Sequence, residues 1–84
     1  MPPVVFTSHA EENLAKLDKQ TAQRILKKIR WLAENLDSLK PESPTGQFQG
    51  VYKLRVGDYR VLYTLEEEDS VVIRLIKHRR EVYK

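Results

Sequence analysis

Apolar and polar residues alternate in two short runs of the chain, and this pattern predicts a β-hairpin over residues 50–63. Gly57 and Asp58 separate the two runs and form the turn, where Gly at the first central position accepts a positive φ. Because side chains alternate along a strand, the hairpin has two different faces. The apolar face carries Tyr52, Leu54, Val56, Tyr59, Val61 and Tyr63, and the polar face carries Lys53, Arg55 and Arg60.

The pairing of the hairpin places two cations next to each other. A two-residue turn sets Arg55 directly opposite Arg60, and like charges in that position destabilise a sheet. Stability alone favours Glu or Thr at one of the two positions. The basic face is therefore interpreted as a surface for an anionic partner. An ion pair between Arg60 and Asp58 or Glu81 is the alternative.

The chain before the hairpin predicts one strand and two helices. Val4-Val5-Phe6 is typical of a short strand at the edge of a sheet. Ser8 and Glu11 have the spacing of a capping box, which predicts the start of the first helix. Asp18 is the predicted cap of the second helix.

The second helix is predicted to be amphipathic. Its apolar residues recur every three or four positions, and they are Ala22, Ile25, Ile29, Leu32 and Leu36, with Leu26 and Ala33 widening the stripe. Its outer face carries Arg24, Lys27, Lys28 and Arg30. These cations are interpreted as a solvated face, and contact with RNA phosphates is the alternative.

The remaining elements complete an α+β architecture. Two prolines and a glycine in residues 39–46 predict a loop, and the acidic residues 66–69 predict a turn. A last strand is predicted from residue 71 to residue 77. Each element has one apolar side to bury, so the N-terminal strand and helical hairpin are expected to pack in two layers with an antiparallel β-sheet.

The orientation of the last strand decides which residues join the basic face. If Val71, Ile73 and Leu75 face the helices, Arg74 and His78 lie on the basic face. His78 is the only histidine near the cations, and a histidine exchanges protons near neutral pH. A strand-end histidine without a role is the alternative.

Composition narrows the range of functions. The 84 residues predict one domain over residues 1–84, with 15 basic and 12 acidic residues and a net charge of +3. There is no cysteine, and the two histidines lack zinc-site spacing, so neither a metal nor another cofactor is expected. No apolar run is long enough to span a membrane and no secretory leader is evident, which favours a cytoplasmic protein that does not bind membranes.

The hairpin and the C-terminal tail together resemble the RelE/ParE superfamily of bacterial toxins, in particular its RelE branch. The residues that carry the resemblance are Tyr52-Lys53-Leu54-Arg55-Val56-Gly57-Asp58-Tyr59-Arg60-Val61-Leu62-Tyr63 and His78-Arg79-Arg80-Glu81-Val82-Tyr83. The resemblance covers nearly the whole chain and implies a two-layer RelE-like fold.

The resemblance implies a toxin that cuts mRNA in the ribosomal A site without a metal. In this family the ribose 2′-hydroxyl attacks the adjacent phosphate, and translation stops. A cognate antitoxin neutralises the toxin. The toxin is expected to contact DNA only indirectly, through this antitoxin. The implied catalytic residues are Lys53, Arg55, Arg60, His78, Arg79 and Tyr83, and the residues expected to bind RNA are Lys27, Lys28, Arg74 and Arg80.

One position departs from the family pattern. The best-known member has a lysine, its proposed base, where this chain has Arg55. A guanidinium is essentially always protonated and is a poor base, so Lys53 or His78 has to take that role. A ParE-like inhibitor of DNA gyrase is one alternative, and an RNA-binding or antitoxin-binding module with weakened activity is the other.

Tyr83 has two interpretations. It stacks on an unpaired base or orients the nucleophile, or together with Val82 it attaches the C-terminus to the core.

Overall fold

Eight elements follow one another in the computed structural model, which describes residues 2–39, 50–67 and 70–82. They are β1 (Val4–Phe6), α1 (Ser8–Ala15), α2 (Lys19–Glu34), α3 (Leu36–Leu39), β2 (Val51–Val56), β3 (Tyr59–Leu65), β4 (Val71–His78) and α4 (Arg79–Val82). Most of the predicted loop at residues 39–46 lies outside the described residues, and so does Tyr83. The predicted order of strand, two helices and three strands is confirmed.

The strands form one sheet in the order β1-β4-β3-β2. Antiparallel pairing joins β2 to β3 and β3 to β4, as predicted, whereas β1 pairs with β4 in parallel. The sheet is therefore mixed rather than wholly antiparallel, because the chain crosses over through α1 and α2 before it returns. The edge position predicted for β1 is confirmed.

The helix starts follow from side-chain caps. Asp18 accepts a hydrogen bond from Thr21 N–H at 3.1 Å, which confirms it as the cap of α2. The cap of α1 is Thr7 rather than Ser8, since its hydroxyl accepts from Ala10 N–H at 3.1 Å. Thr7 is still in extended conformation as it leaves β1 and donates its own N–H to the carbonyl of Ile73, and the helix begins at Ser8, one residue earlier than a Ser8 cap requires.

The core lies between the helices and one face of the sheet. α1 packs against β1 and β4, and α2 packs against β2. The buried apolar residues are Ala10, Ile25, Ile29, Leu32, Ala33, Leu36, Val61, Tyr63, Val71, Ile73 and Ile76. Leu26, predicted to widen the buried stripe of α2, is instead 40% exposed. None of the described helices is long and apolar enough to cross a membrane.

A β-bulge in β4 changes the predicted orientation of its second half. Leu62 pairs with Leu75 and Tyr63 pairs with Ile73, so Arg74 has no partner in the ladder. Beyond the bulge, Ile76 is buried on the helix side while Leu75 lies on the outer face. The prediction that Leu75 faces the helices is therefore wrong.

Candidate functional site

A row of three cations crosses the outer face of the sheet. Arg60 on β3 pairs with Arg55 on β2 and with Lys77 on β4, so the three residues are neighbours across three strands. Adjacent strands lie about 4.8 Å apart, and the row is about 10 Å wide at the backbone. Lys53 lies two residues from Arg55 and projects from the same face. We call the three paired residues together with Lys53 the cation row; its members are Lys53, Arg55, Arg60 and Lys77.

Arg60 is far less exposed than an open sheet face predicts. Only 6% of its surface is accessible, and the guanidinium donates a hydrogen bond to the carbonyl of Tyr59 at 3.3 Å. Among the described residues no carboxylate lies within ion-pair distance of it, so the predicted alternatives with Asp58 and Glu81 are not formed. A poorly hydrated cation between two other cations creates a strong local attraction for an anion.

Lys77 is a member of the cation row that the sequence interpretation missed. A regular strand places residue 77 on the same side as Val71 and Ile73, in the core. The bulge reverses this orientation and brings Lys77 beside Arg60. The signal was present in the apolar spacing, since Ile73 and Ile76 are separated by three positions instead of two.

The same bulge moves His78 away from the position that the sequence suggested. His78 pairs with Tyr59, whose side chain packs against the core, and the two rings meet edge to face at 5.1 Å. The histidine therefore lies on the helix side of the sheet, and the conditional placement on the basic face is wrong. Its catalytic role stays a prediction.

His78 also caps the C-terminal turn. Its Nδ1 atom accepts a hydrogen bond from Arg80 N–H at 3.2 Å, and its own N–H donates to the Glu81 carboxylate at 3.3 Å. This reciprocal arrangement is that of a capping box with histidine as the cap. In the neutral ring the proton must then be on Nε2.

The start of α4 is held at the tip of the hairpin. Arg79 donates its N–H to the carbonyl of Asp58 at 2.7 Å, and its guanidinium lies 3.9 Å from the Asp58 carboxylate. The Arg79 side chain remains more than half exposed, so it is available to a ligand at the end of the sheet where the hairpin turns. Arg80 is exposed as well.

Arg74 has partners of its own. Its Nε donates to the Thr64 hydroxyl at 3.1 Å, and its guanidinium is 3.8 Å from the Glu66 carboxylate. Lys27 and Lys28 lie on α2, on the helical side of the molecule. None of the four residues predicted to bind RNA belongs to the cation row. Arg80 is the one that directly follows a predicted catalytic residue, Arg79, in the sequence.

The tyrosines of the hairpin are structural. Tyr63 is buried and stacks on Tyr52, with ring centroids 5.5 Å apart, and Tyr59 packs against the same core. Burial raises the pKa of the Tyr63 hydroxyl, and the nearby Tyr52 adds to the shift. All three tyrosines of the apolar hairpin face therefore belong to the core or pack against it.

These features define a small α+β protein with a helical layer on one side of a sheet and cations on the other. Residues 4–83 match the family model described as the ParE toxin of a type II toxin–antitoxin system, parDE. The chain therefore belongs to this family, within the RelE/ParE superfamily of toxins. No significant match was found among curated protein sequences.

Solved structures of RelE toxins share the fold. A chain of the RelBE2 toxin–antitoxin complex from Mycobacterium tuberculosis is 27% identical, with a TM-score of 0.77 over 94% of this chain and 100% of that one. The isolated RelE toxin from E. coli is 25% identical, with a TM-score of 0.70 over 99% and 92% of the two chains. The YoeB dimer from Staphylococcus aureus, at 22% identity and a TM-score of 0.69 over 92% and 95%, shows the fold alone.

Proposed function

We propose that this toxin is a ribosome-dependent endoribonuclease that cuts mRNA in the A site and so stops translation. The observation that carries the proposal is the cation row, in which Arg60 is flanked by Arg55 and Lys77 with no described carboxylate paired to it. The likeness to RelE toxins supports the same activity.

The reaction is a transfer of the phosphoryl group within the RNA strand. The 2′-oxygen forms a bond to the adjacent phosphorus while the bond to the 5′-oxygen breaks, which leaves a cyclic phosphate and a 5′-hydroxyl. Arg55 and Arg60 stabilise the charge on the phosphate oxygens, because guanidinium groups are permanent cations with paired donors. Arg79 reaches the same phosphate from the hairpin tip.

Proton transfer falls to the amines of the row. An arginine is a poor base, whereas a lysine that has lost its proton accepts one. Lys53 lies on the same face as Arg55, and His78 lies on the other side of the sheet, so Lys53 is the proposed base. Lys77, the strand neighbour of Arg60, is the proposed donor that returns a proton to the departing 5′-oxygen. No step requires a metal.

A cognate antitoxin is the proposed cellular partner, and the cytoplasm is the proposed location. Complexes of toxin with antitoxin are known for RelE relatives of this chain. The antitoxin silences the enzyme by masking or displacing the cation row and the tail. Tyr83, which lies outside the described residues, is proposed to stack on an unpaired base of the substrate.

Inhibition of DNA gyrase is a second candidate, favoured by the match to the ParE family model. The two candidates are separated by adding the purified toxin to a reconstituted translation reaction and, in parallel, to a gyrase supercoiling reaction. The endoribonuclease proposal predicts that only translation stops. Loss of supercoiling with normal translation would overturn it in favour of gyrase.

A further inference from the structure

A second basic surface lies on the opposite side of the molecule from the cation row. It is an open groove of about 440 Å³ between α2 and the tip of the hairpin. Its lining residues are Arg24, Lys27, Lys28, Trp31, Val56 and Gly57, and we call it the helix groove. The cations come from successive turns of α2, whereas the hairpin contributes only small or apolar side chains.

The charges of the helix groove are not neutralised within the described residues. Arg24, Lys27 and Lys28 take part in no ion pair there. Arg30, on the same helix but outside the groove, pairs with Glu34 at 3.8 Å in the manner of an ordinary solvated face. On α2, Arg30 is therefore paired, whereas the three cations of the helix groove are open to a partner.

An aromatic side chain lies among these cations. Trp31, the only tryptophan of the chain, is 40% exposed. The Lys28 ammonium lies over its ring, 3.9 Å from the centroid. A single exposed aromatic side chain is ordinary on a protein surface, but this ring lies beside cations that make no ion pair within the described residues. A base that stacks on this ring face takes the place of the Lys28 ammonium, which can then neutralise the phosphate attached to that base.

The hairpin tip borders the helix groove closely. Gly57 has a φ of +57°, and a Cβ atom there would lie 3.3 Å from the Arg24 Nη2 atom. A larger residue would strain the turn and press against this guanidinium. The next residue, Asp58, holds Arg79 on the other side of the tip, so the tip connects the tail to the helix groove.

We propose that the helix groove binds a single-stranded segment of RNA, with a base on Trp31 and phosphates on Arg24 and Lys27. This proposal rests on the proposed function for the choice of RNA and for its place next to the cleaved bond. Asp58 at the hairpin tip lies beside both Arg79 and Arg24, so a strand that passes the tip can follow both, and the groove anchors the single-stranded mRNA that flanks the cleaved bond.

Binding of a 2′-O-methyl RNA oligonucleotide tests the proposal independently of cleavage, because this RNA lacks the attacking hydroxyl. Binding is measured by anisotropy of the labelled oligonucleotide and by quenching of Trp31 fluorescence. Trp31→Ala is expected to weaken binding by roughly 5- to 150-fold, the effect of losing one stacked base, and Trp31→Phe to restore part of it. The binding constant falls as salt is added, and a plot of its logarithm against the logarithm of the salt concentration has a slope set by the number of phosphate contacts. Arg24→Gln and Lys27→Gln should each make this slope shallower by about 0.7.

Arg30→Gln is the matched control, since it removes the same charge from the same helix outside the groove. It is expected to leave affinity and salt dependence unchanged. An equal effect of Arg30→Gln, or parental binding by Trp31→Ala, would overturn the proposal. Tight binding of poly-glutamate instead of RNA, lost in Trp31→Ala, would overturn it in favour of an acidic protein partner. Cleavage does not enter this binding assay. A toxin that binds RNA in the helix groove but cuts no mRNA would therefore overturn the proposed function and not this proposal.

Discussion

Arg55 and Arg60 lie directly opposite each other on β2 and β3, and Arg60 keeps only 6% of its surface exposed. A pair of like charges at this depth opposes folding unless an anion joins it. Lys77 on the other side of Arg60 adds to the repulsion. We interpret this local cost to stability as a sign of the proposed phosphate site, since functional sites often conflict with local stability rules.

The first prediction concerns Arg60. Arg60→Met keeps an apolar stem in the buried space and removes the charge, so it should raise the free energy of unfolding by about 1 kcal/mol. It should also slow mRNA cleavage by about 100-fold, the usual effect of losing one charge-stabilising donor. Urea denaturation and single-turnover cleavage measure the two effects.

Arg60→Ala serves as the comparison for this variant. It removes the same charge but leaves a cavity, so its stability should be lower than that of Arg60→Met. If Arg60→Met is itself strongly destabilised, the guanidinium has a structural partner and the interpretation of the cation row is wrong.

The second prediction separates a positioning role of His78 from a role as base. Asn is a good helix cap, so His78→Asn should keep the bond from Arg80 N–H and most of the cleavage rate. His78→Ala removes the cap, and we expect it to destabilise the protein by about 1 kcal/mol and reduce cleavage. Equal and severe losses of cleavage in both variants, with α4 intact, would identify His78 as the base.

The third prediction concerns Arg79. Its ion pair with Asp58 is exposed, and its backbone bond to Asp58 survives substitution, so Arg79→Ala should change the free energy of unfolding by less than about 1 kcal/mol. Cleavage of ribosome-bound mRNA should nevertheless fall by about 100-fold. Arg30→Ala provides the control for loss of an exposed arginine, and it should cleave at the parental rate.

The fourth prediction is a dependence of stability on pH. Hydrogen bonds from the Thr21 side chain and backbone lower the pKa of Asp18 below its ordinary value of 3.8. As the pH falls below 3.8, the unfolded chain takes up the proton first, so the stabilisation by Asp18 is full above that pH and is lost as the pH falls through the lower pKa of the folded state. Asp18→Asn keeps the cap without the ionisation, and its stability should change less between pH 5 and about pH 2. An unchanged acid dependence in urea titrations of this variant would refute the prediction.

Patterns with a local cause were predictable from the sequence. The hairpin register follows from Gly57 and the alternation on either side, and the cap of α2 follows from Asp18. The first cap was assigned one residue late because Thr7 and Ser8 have similar capping chemistry. Pairing of Thr7 with β4 decides between them, and that contact is not local in sequence.

The orientation of β4 was harder to predict because one unpaired residue reverses it. Because of the bulge at Arg74, Lys77 lies on the outer face and His78 lies on the helix side. The bulge depends on how β4 fits against both β3 and β1. The burial of Arg60 also escaped the sequence interpretation, since alternation indicates a face but not the depth of a side chain on it. The helix groove was foreseen only as charged residues, because the exposure of Trp31 arises from its place beside the hairpin tip.

The position of the cut on ribosome-bound mRNA tests the central claim most directly. Ribosomes are programmed with a defined A-site codon, and primer extension maps the new 5′ ends after addition of the toxin, beside a matched reaction of the same mRNA without ribosomes. We predict a cut within the A-site codon, a 5′-hydroxyl on the downstream fragment, and cleavage only when ribosomes are present, because the ribosome aligns the 2′-hydroxyl for attack. Equally rapid cleavage of naked mRNA, or intact mRNA on ribosomes that the toxin has bound, would contradict the account.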